Sequence, residues 1–218
     1  MDIKSLWKSY KFPNCDRCKE DCGKYDYENL CSNLNYLKNY GQEYFDRMKE
    51  SFIELKNMID FKPSIFSFGC GCSLDYLAAK EVFERGFSYF NIDECEWAIK
   101  NTEAYQNLDN NMPKENFSFD EGKRFLHLAV SNIVICLFNS LNDIINNKEN
   151  LLGEFFECLH QKQNFCIVCN YTRGGNHVLA WNEECFLEDL CKKLRKYFNI
   201  KKLKILGGEG IIISGKRK

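Results

Sequence analysis

Gly69 and Gly71 stand one residue apart at the end of the apolar run "SIFSF", and a helical stripe of Leu74, Leu77, Ala78 and Val82 follows at once. Lacking a β-carbon, such positions let a ligand touch the main chain. The helix behind them offers N–H groups that have no partner inside the helix. Asp93 ends the next strand-like run, 24 residues after Gly69. A carboxylate there accepts hydrogen bonds from ribose hydroxyls. A glycine turn with such a carboxylate is chemistry for a nucleoside-bearing ligand. A dinucleotide fingerprint would place a third glycine at position 74, which is Leu74, so that form of the motif fails.

Three further groups have the residue types for chemistry. The loop "NYTRGGNHVLAW" (170–181) gathers Tyr171, Arg173, Asn176 and His177 around two glycines. His177 is the best general base on offer, and Arg173 suits an anionic group. The same residues also read as a solvated polar turn. Cys15, Cys18, Cys22 and Cys31 put four sulfurs within 17 positions. A C-x2-C pair makes two corners of a zinc tetrahedron; unliganded thiols in a chain with 13 cysteines are the other reading. The stretch "CKKLRKYFNIKKLK" (191–204) carries seven Lys or Arg and no acid. It reads as a solvated helix face or as a phosphate-tracking patch.

These groups need a scaffold, and its elements are legible beyond Pro63. "SIFSF" (64–68), "FSYFNI" (87–92), "NFSF" (116–119), "NIVICLF" (132–138) and "NFCIVCNY" (164–171) read as strands. Helices are expected over 74–82, with Gly86 placed for the C-terminal cap, and over about 94–108, 151–161 and 183–197. "IKKLKILGGEGIIISGKRK" reads as a hairpin around Gly-Gly-Glu-Gly. Before Pro63 a helix is expected from about Leu34 to Ile59. Strands alternating with helices predict a mostly parallel sheet covered on both faces, with an antiparallel C-terminal hairpin. The expected division is an N-terminal Cys-containing, helical extension or lid (1–60) and an α/β domain (61–218).

"FSFGCGCSLDYLAA", "YFNIDE" and the terminal hairpin together resemble the class I S-adenosylmethionine-dependent methyltransferases, over roughly residues 35 to 218. The resemblance implies a Rossmann-like, seven-stranded sheet and S-adenosylmethionine as methyl donor. Carried over by position, Gly69, Cys70 and Gly71 approach the donor's methionine part, Asp93 and Glu94 its ribose, and Asp120 the adenine amine. Asn139, with Ser140, forms the floor of the reaction site, where His177 and Tyr171 are the catalytic candidates. The family's acidic-x-G-x-G-x-G pattern is met at Gly69 and Gly71 but not at Ser67 and Ser73. Asp75 is a candidate to stand in for the missing carboxylate. The Asn/Asp-Pro-Pro-aromatic signature of amino-methylating members is replaced by "FNSL" (138–141).

Composition bounds the remainder. A net charge of −1 supplies no global field for nucleic acid or a membrane surface. No apolar run reaches membrane-span length, and "MDIKSLWKSYKF" lacks the apolar core of a signal peptide, so a cytoplasmic protein without a membrane partner is expected. A small-molecule acceptor is preferred, with RNA and a non-catalytic binding role as alternatives. Oligomeric state is not readable.

Overall fold

The structure is a computed structural model describing Ile3 and residues 30–71, 73–94, 116–138, 140–147, 149–170, 181–205 and 210–218. Its elements in chain order are α1 (Leu30–Met58), β1 (Ser64–Phe68), α2 (Leu74–Phe83), β2 (Ser88–Ile92), β3 (Asn116–Phe117), α3 (Phe119–Leu128), β4 (Ile133–Phe138), α4 (Leu141–Asn147), α5 (Leu151–Leu159), β5 (Asn164–Asn170), α6 (Trp181–Leu194), β6 (Phe198–Ile205) and β7 (Gly210–Arg217).

The strands form one seven-stranded sheet in the order β3-β2-β1-β4-β5-β7-β6. β1 to β5 are parallel, and β7 runs antiparallel to both β5 and β6. The chain leaves β1 toward β2 and β3, then returns to β4 on the other side of β1. The order therefore reverses at the carboxyl ends of β1 and β4, where open α/β sheets bind ligands.

"NIVICLF" reads as continuous apolar sequence because β4 is buried on both faces. Ile133, Ile135 and Leu137 enter the core against α3, α5 and α6, while Val134, Cys136 and Phe138 enter the one against α1 and α2. Such a strand has no solvent side to mark with polar residues. Cys136, Cys158, Cys166, Cys169 and Cys191 are buried here, and burial pushes their thiols up, so they act as small apolar side chains.

On α1, Tyr44, Phe45, Met48, Phe52 and Leu55 form a buried stripe at helical spacing. Phe52 meets Phe83 of α2 and Phe138 of β4 edge-on, at centroid distances of 5.8 and 5.5 Å. Truncating it to alanine would cost about 3–5 kcal/mol. Lys56 Nζ also donates to Val82 O (2.7 Å), tying α1 to the end of α2.

The helices run opposite to the parallel strands, so their C-termini gather at the amino edge of the sheet. Basic side chains meet them there. Lys162 Nζ donates to His127 O and Ala129 O (2.7 and 2.6 Å) at the end of α3. Arg217 Nη1 donates to His160 O (2.6 Å) after α5, and Lys218 Nζ to Arg195 O (2.7 Å) after α6. Each cation satisfies last-turn carbonyls and the negative end of a helix dipole.

The expected cap at Gly86 is corrected: Glu84, with φ 58°, takes the cap position of α2, and the Gly86 N–H donates to Phe83 O just beyond it (2.9 Å). The expected helix at 94–108 lies outside the described residues apart from Glu94, which follows β2.

Candidate functional site

The turn after β1 is built from three left-handed residues. Gly69 has φ 68°, Gly71 has φ 51° and Ser73 has φ 52°. The N–H groups of Gly69 and Cys70 both donate to Ile92 O (2.8 and 3.3 Å), so the turn hangs from the end of β2. Gly69 has a second reason to be glycine: a β-carbon there would stand 2.5 Å from Ser140 Cβ. Ser140 Oγ donates to Phe68 O (2.7 Å), locking the turn to the second residue after β4. The space beside Gly69 is thus taken by the protein itself.

Ser73 occupies the third glycine position of the pattern and keeps the glycine-like conformation. For a residue with a side chain that conformation costs about 1–2 kcal/mol. Its hydroxyl does not cap α2 but donates to Asn91 Oδ1 of β2 (3.1 Å). The departure from the pattern therefore preserves the path of the main chain.

Asp93 lies just past β2. Its Oδ2 accepts from the Gly71 N–H at 2.8 Å. Asn116 of β3 braces both sides: its Nδ2 donates to Asp93 O (2.9 Å) and its Oδ1 accepts from Cys70 Sγ (3.5 Å). Burial, then the charges of Asp93 and Asp75, push the Cys70 thiol well up, so it is no nucleophile.

Asp75 sits in the first turn of α2 and is 2% exposed. Neither carboxylate oxygen has a hydrogen-bond partner. The hydroxyls of Ser67 and Tyr89 and the amides of Asp75 and Tyr76 stand near enough to relieve the charge in part, but none reaches bonding geometry. Burial pushes this carboxyl up to about 6. Tyr89 Oη and Asn91 Nδ2 are likewise buried without partners.

Glu94 is exposed at the end of this edge. Asp120 lies in the first turn of α3, 84% exposed and paired with Lys123 (2.9 Å), which also reaches Glu154 (3.0 Å). The structure thus brings Gly69, Cys70, Gly71, Asp75 and Asp93 together and sets Asp120 on the adjoining helix start. Asn139, Tyr171, His177, Cys15, Cys18 and Cys22 lie outside the described residues; Cys31 is on the backbone of α1. Among the described residues no group of three or more His, Cys, Asp or Glu is arranged to hold a metal.

Sequence reading missed Asn91 and Asn116, whose signal is an amide in an apolar strand. It also passed over Glu183, which is buried in the first turn of α6, the next described element after β5. Of the basic stretch, Lys202 pairs with Glu188, while Lys192 and Lys193 lie in the last turn of α6.

No family model matches the sequence, and no curated protein matches it. Solved structures do. A 16S rRNA methylase, ArmA, aligns over 100% of this chain and 99% of its own, with TM-score 0.53 and 16% identity. The PH0226 protein of Pyrococcus horikoshii OT3 aligns over 81% and 92%, with TM-score 0.55 and 15% identity. A SAM-dependent methyltransferase of Aquifex aeolicus aligns over 79% and 93%, with TM-score 0.51 and 15% identity. At such identities the likeness is one of fold. The strand order, the antiparallel β7 and the glycine turn at the switch point agree with it, and the chain has the Rossmann-like fold of the class I S-adenosylmethionine-dependent methyltransferases.

Proposed function

We propose that this chain is an S-adenosylmethionine-dependent methyltransferase. The observation that carries the reading is the Gly71 N–H bound to Asp93 Oδ2, at the carboxyl ends of β1 and β2 where the strand order reverses. The residues present fit the donor: Gly71, in a left-handed conformation, leaves the main chain without a side chain at the turn, and a carboxylate ends β2 beside it. Bound there, S-adenosylmethionine supplies a methyl group already activated on a sulfonium.

In this reading Gly69, Cys70 and Gly71 shape the wall against the donor's methionine part, Asp93 and Glu94 hold the ribose, and Asp120 takes the adenine amine. Asn139 borders the acceptor. The protein holds the acceptor atom in line with the methyl and excludes water, which is work of positioning. A base is needed only for an acceptor that does not lose its proton alone; His177 is assigned that role, with Tyr171 beside it in sequence. Residues 1–60 are assigned as an extension of the α/β domain at 61–218, with α1 and Ile3 packed into the core against α2.

A small-molecule acceptor accords with the near-neutral charge and with Lys162, Arg217 and Lys218 being directed at helix carbonyls. RNA is the second reading, favoured by one observation, the end-to-end likeness to a 16S rRNA methylase. Calorimetric titration with S-adenosylhomocysteine tests the donor assignment, and absence of binding overturns it. Retention of RNA that weakens steeply with salt would select the second acceptor class.

A further inference from the structure

Asp75 places a charge where the fold gains nothing from one. It lies among Leu74, Leu77, Ala78 and Ala79 on α2, all buried, and faces Ser67 of β1, Tyr89 of β2 and Cys136 of β4. At 2% exposure neither oxygen is hydrogen-bonded. An unpaired buried carboxylate is strongly unfavourable, and an apolar residue would fill the site without that cost. A group kept at a cost to stability belongs to function more often than to folding.

Its surroundings indicate which function. Ser67, beside Asp75, stands where the methyltransferase pattern has an acid. The Cys70 thiol feels the charges of both Asp93 and Asp75, so both carboxylates act on the glycine turn. Asp93 is engaged with the Gly71 N–H; Asp75 has no such bond. We infer that Asp75 is the counter-ion of the donor's α-ammonium group, supplied from the helix side of the turn because β1 carries Ser67 instead of a carboxylate. The inference rests on the reading of the turn as a donor site. Tyr89 Oη and Asn91 Nδ2 are the donors at hand to steady the carboxylate once it is paired. Asp75 is thus a positioning residue for the donor and takes no part in the transfer step.

The competing account is structural: an ordered water bridging Asp75, Tyr89 and Asn91. The two differ in sign. Asp75→Asn and Asp75→Leu are compared with wild type by thermal melting without ligand, and by calorimetry with S-adenosylhomocysteine and with methylthioadenosine, which lacks the amino-acid end. Both variants are expected to melt higher than wild type. Both should bind S-adenosylhomocysteine about 10–100-fold more weakly, the scale for losing a hydrogen-bonded charge, with methylthioadenosine affinity unchanged. Variants that melt lower show that the carboxylate serves the fold and overturn the inference. So does wild-type affinity for S-adenosylhomocysteine, or equal weakening of both ligands. Failure of the wild type itself to bind S-adenosylhomocysteine removes the donor-site reading, and this inference falls with it.

Discussion

The main-chain N–H of Gly71 donates to Asp93 Oδ2 across 2.8 Å, joining two strand ends that are 22 residues apart. Asp93 therefore has two tasks: it aims the turn, and in the proposed complex it holds the ribose. Asp93→Ala removes both and is expected to weaken S-adenosylhomocysteine binding by about 1.5–3 kcal/mol. Asp93→Asn keeps an acceptor for Gly71 and should lose less. Calorimetry on the two variants checks this, and equal affinity in Asp93→Ala would take Asp93 out of the site.

The two glycines should fail differently. At Gly69 a β-carbon meets Ser140 Cβ at 2.5 Å while φ stays at 68°. Gly69→Ala is thus expected to destabilise the fold by about 2–4 kcal/mol from overpacking and backbone strain. Chemical denaturation measures it, and Ser140→Gly in the same chain should return part of the loss. Gly71→Val is expected to abolish donor binding while the protein remains folded. A folded variant that still binds would show that Gly71 does not touch the ligand.

Stability should depend on pH through Asp75. Burial moves its carboxyl from 3.8 to about 6, so the folded protein holds the proton more tightly than the unfolded chain. The stability tied to this group is full below about pH 4 and is lost as pH rises through about 6. The loss is roughly two units at 1.36 kcal/mol each, or about 3 kcal/mol. Cys70, Tyr89 and Cys136, which face it, are all pushed upward and stay neutral across that window. Other carboxylates, the half-buried Glu81 and the exposed Glu121 and Glu188, are lowered and act in the opposite sense, so the comparison must be with Asp75→Asn. Urea titrations across the window should show a flatter curve for the variant; parallel curves would refute the assignment.

Lys162→Met should cost about 1–3 kcal/mol, because His127 O and Ala129 O lose their shared donor at the end of α3. A denaturation midpoint equal to wild type would show that water replaces the ammonium without loss.

His177→Ala is expected to lower turnover by about 10²–10⁴-fold with donor affinity unchanged, the scale for losing a general base. Turnover at the wild-type rate would remove His177 from the transfer step.

Periodicity marked the parallel strands well. "SIFSF" is β1 without shift, and the runs beginning at 87 and 132 start one residue early. The hairpin was legible because two apolar-basic runs flank a glycine-rich link. α3 was not, although Ser118 and Glu121 form a full capping box at its start; Gly122 on its buried face and the exposed Phe125 and Leu128 blur the apolar stripe, and "NFSF" reads on into it as strand. α4 has seven residues and offers too little period to read. At the site, Gly69, Gly71 and Asp93 could be marked because the turn and the strand end are local features. The contact of Ser140 with Gly69 joins positions 71 residues apart, and no pattern in one sequence carries that. Asp75 did carry a signal, a single acid inside an apolar helical stripe, but its lack of a partner is a property of three strands packed around it.

The interlock of Gly69 and Ser140 also bears on how this sequence is free to drift. Position 69 is closed twice over, by a left-handed backbone and by a neighbouring β-carbon at 2.5 Å. Shrinking residue 140 lifts only the second bar. Residue 140 is itself buried, and the bond from its hydroxyl to Phe68 O favours serine there. In descendants of this chain, glycine at 69 should outlast every other residue of the turn, and a hydroxyl should persist at 140 to meet Phe68 O.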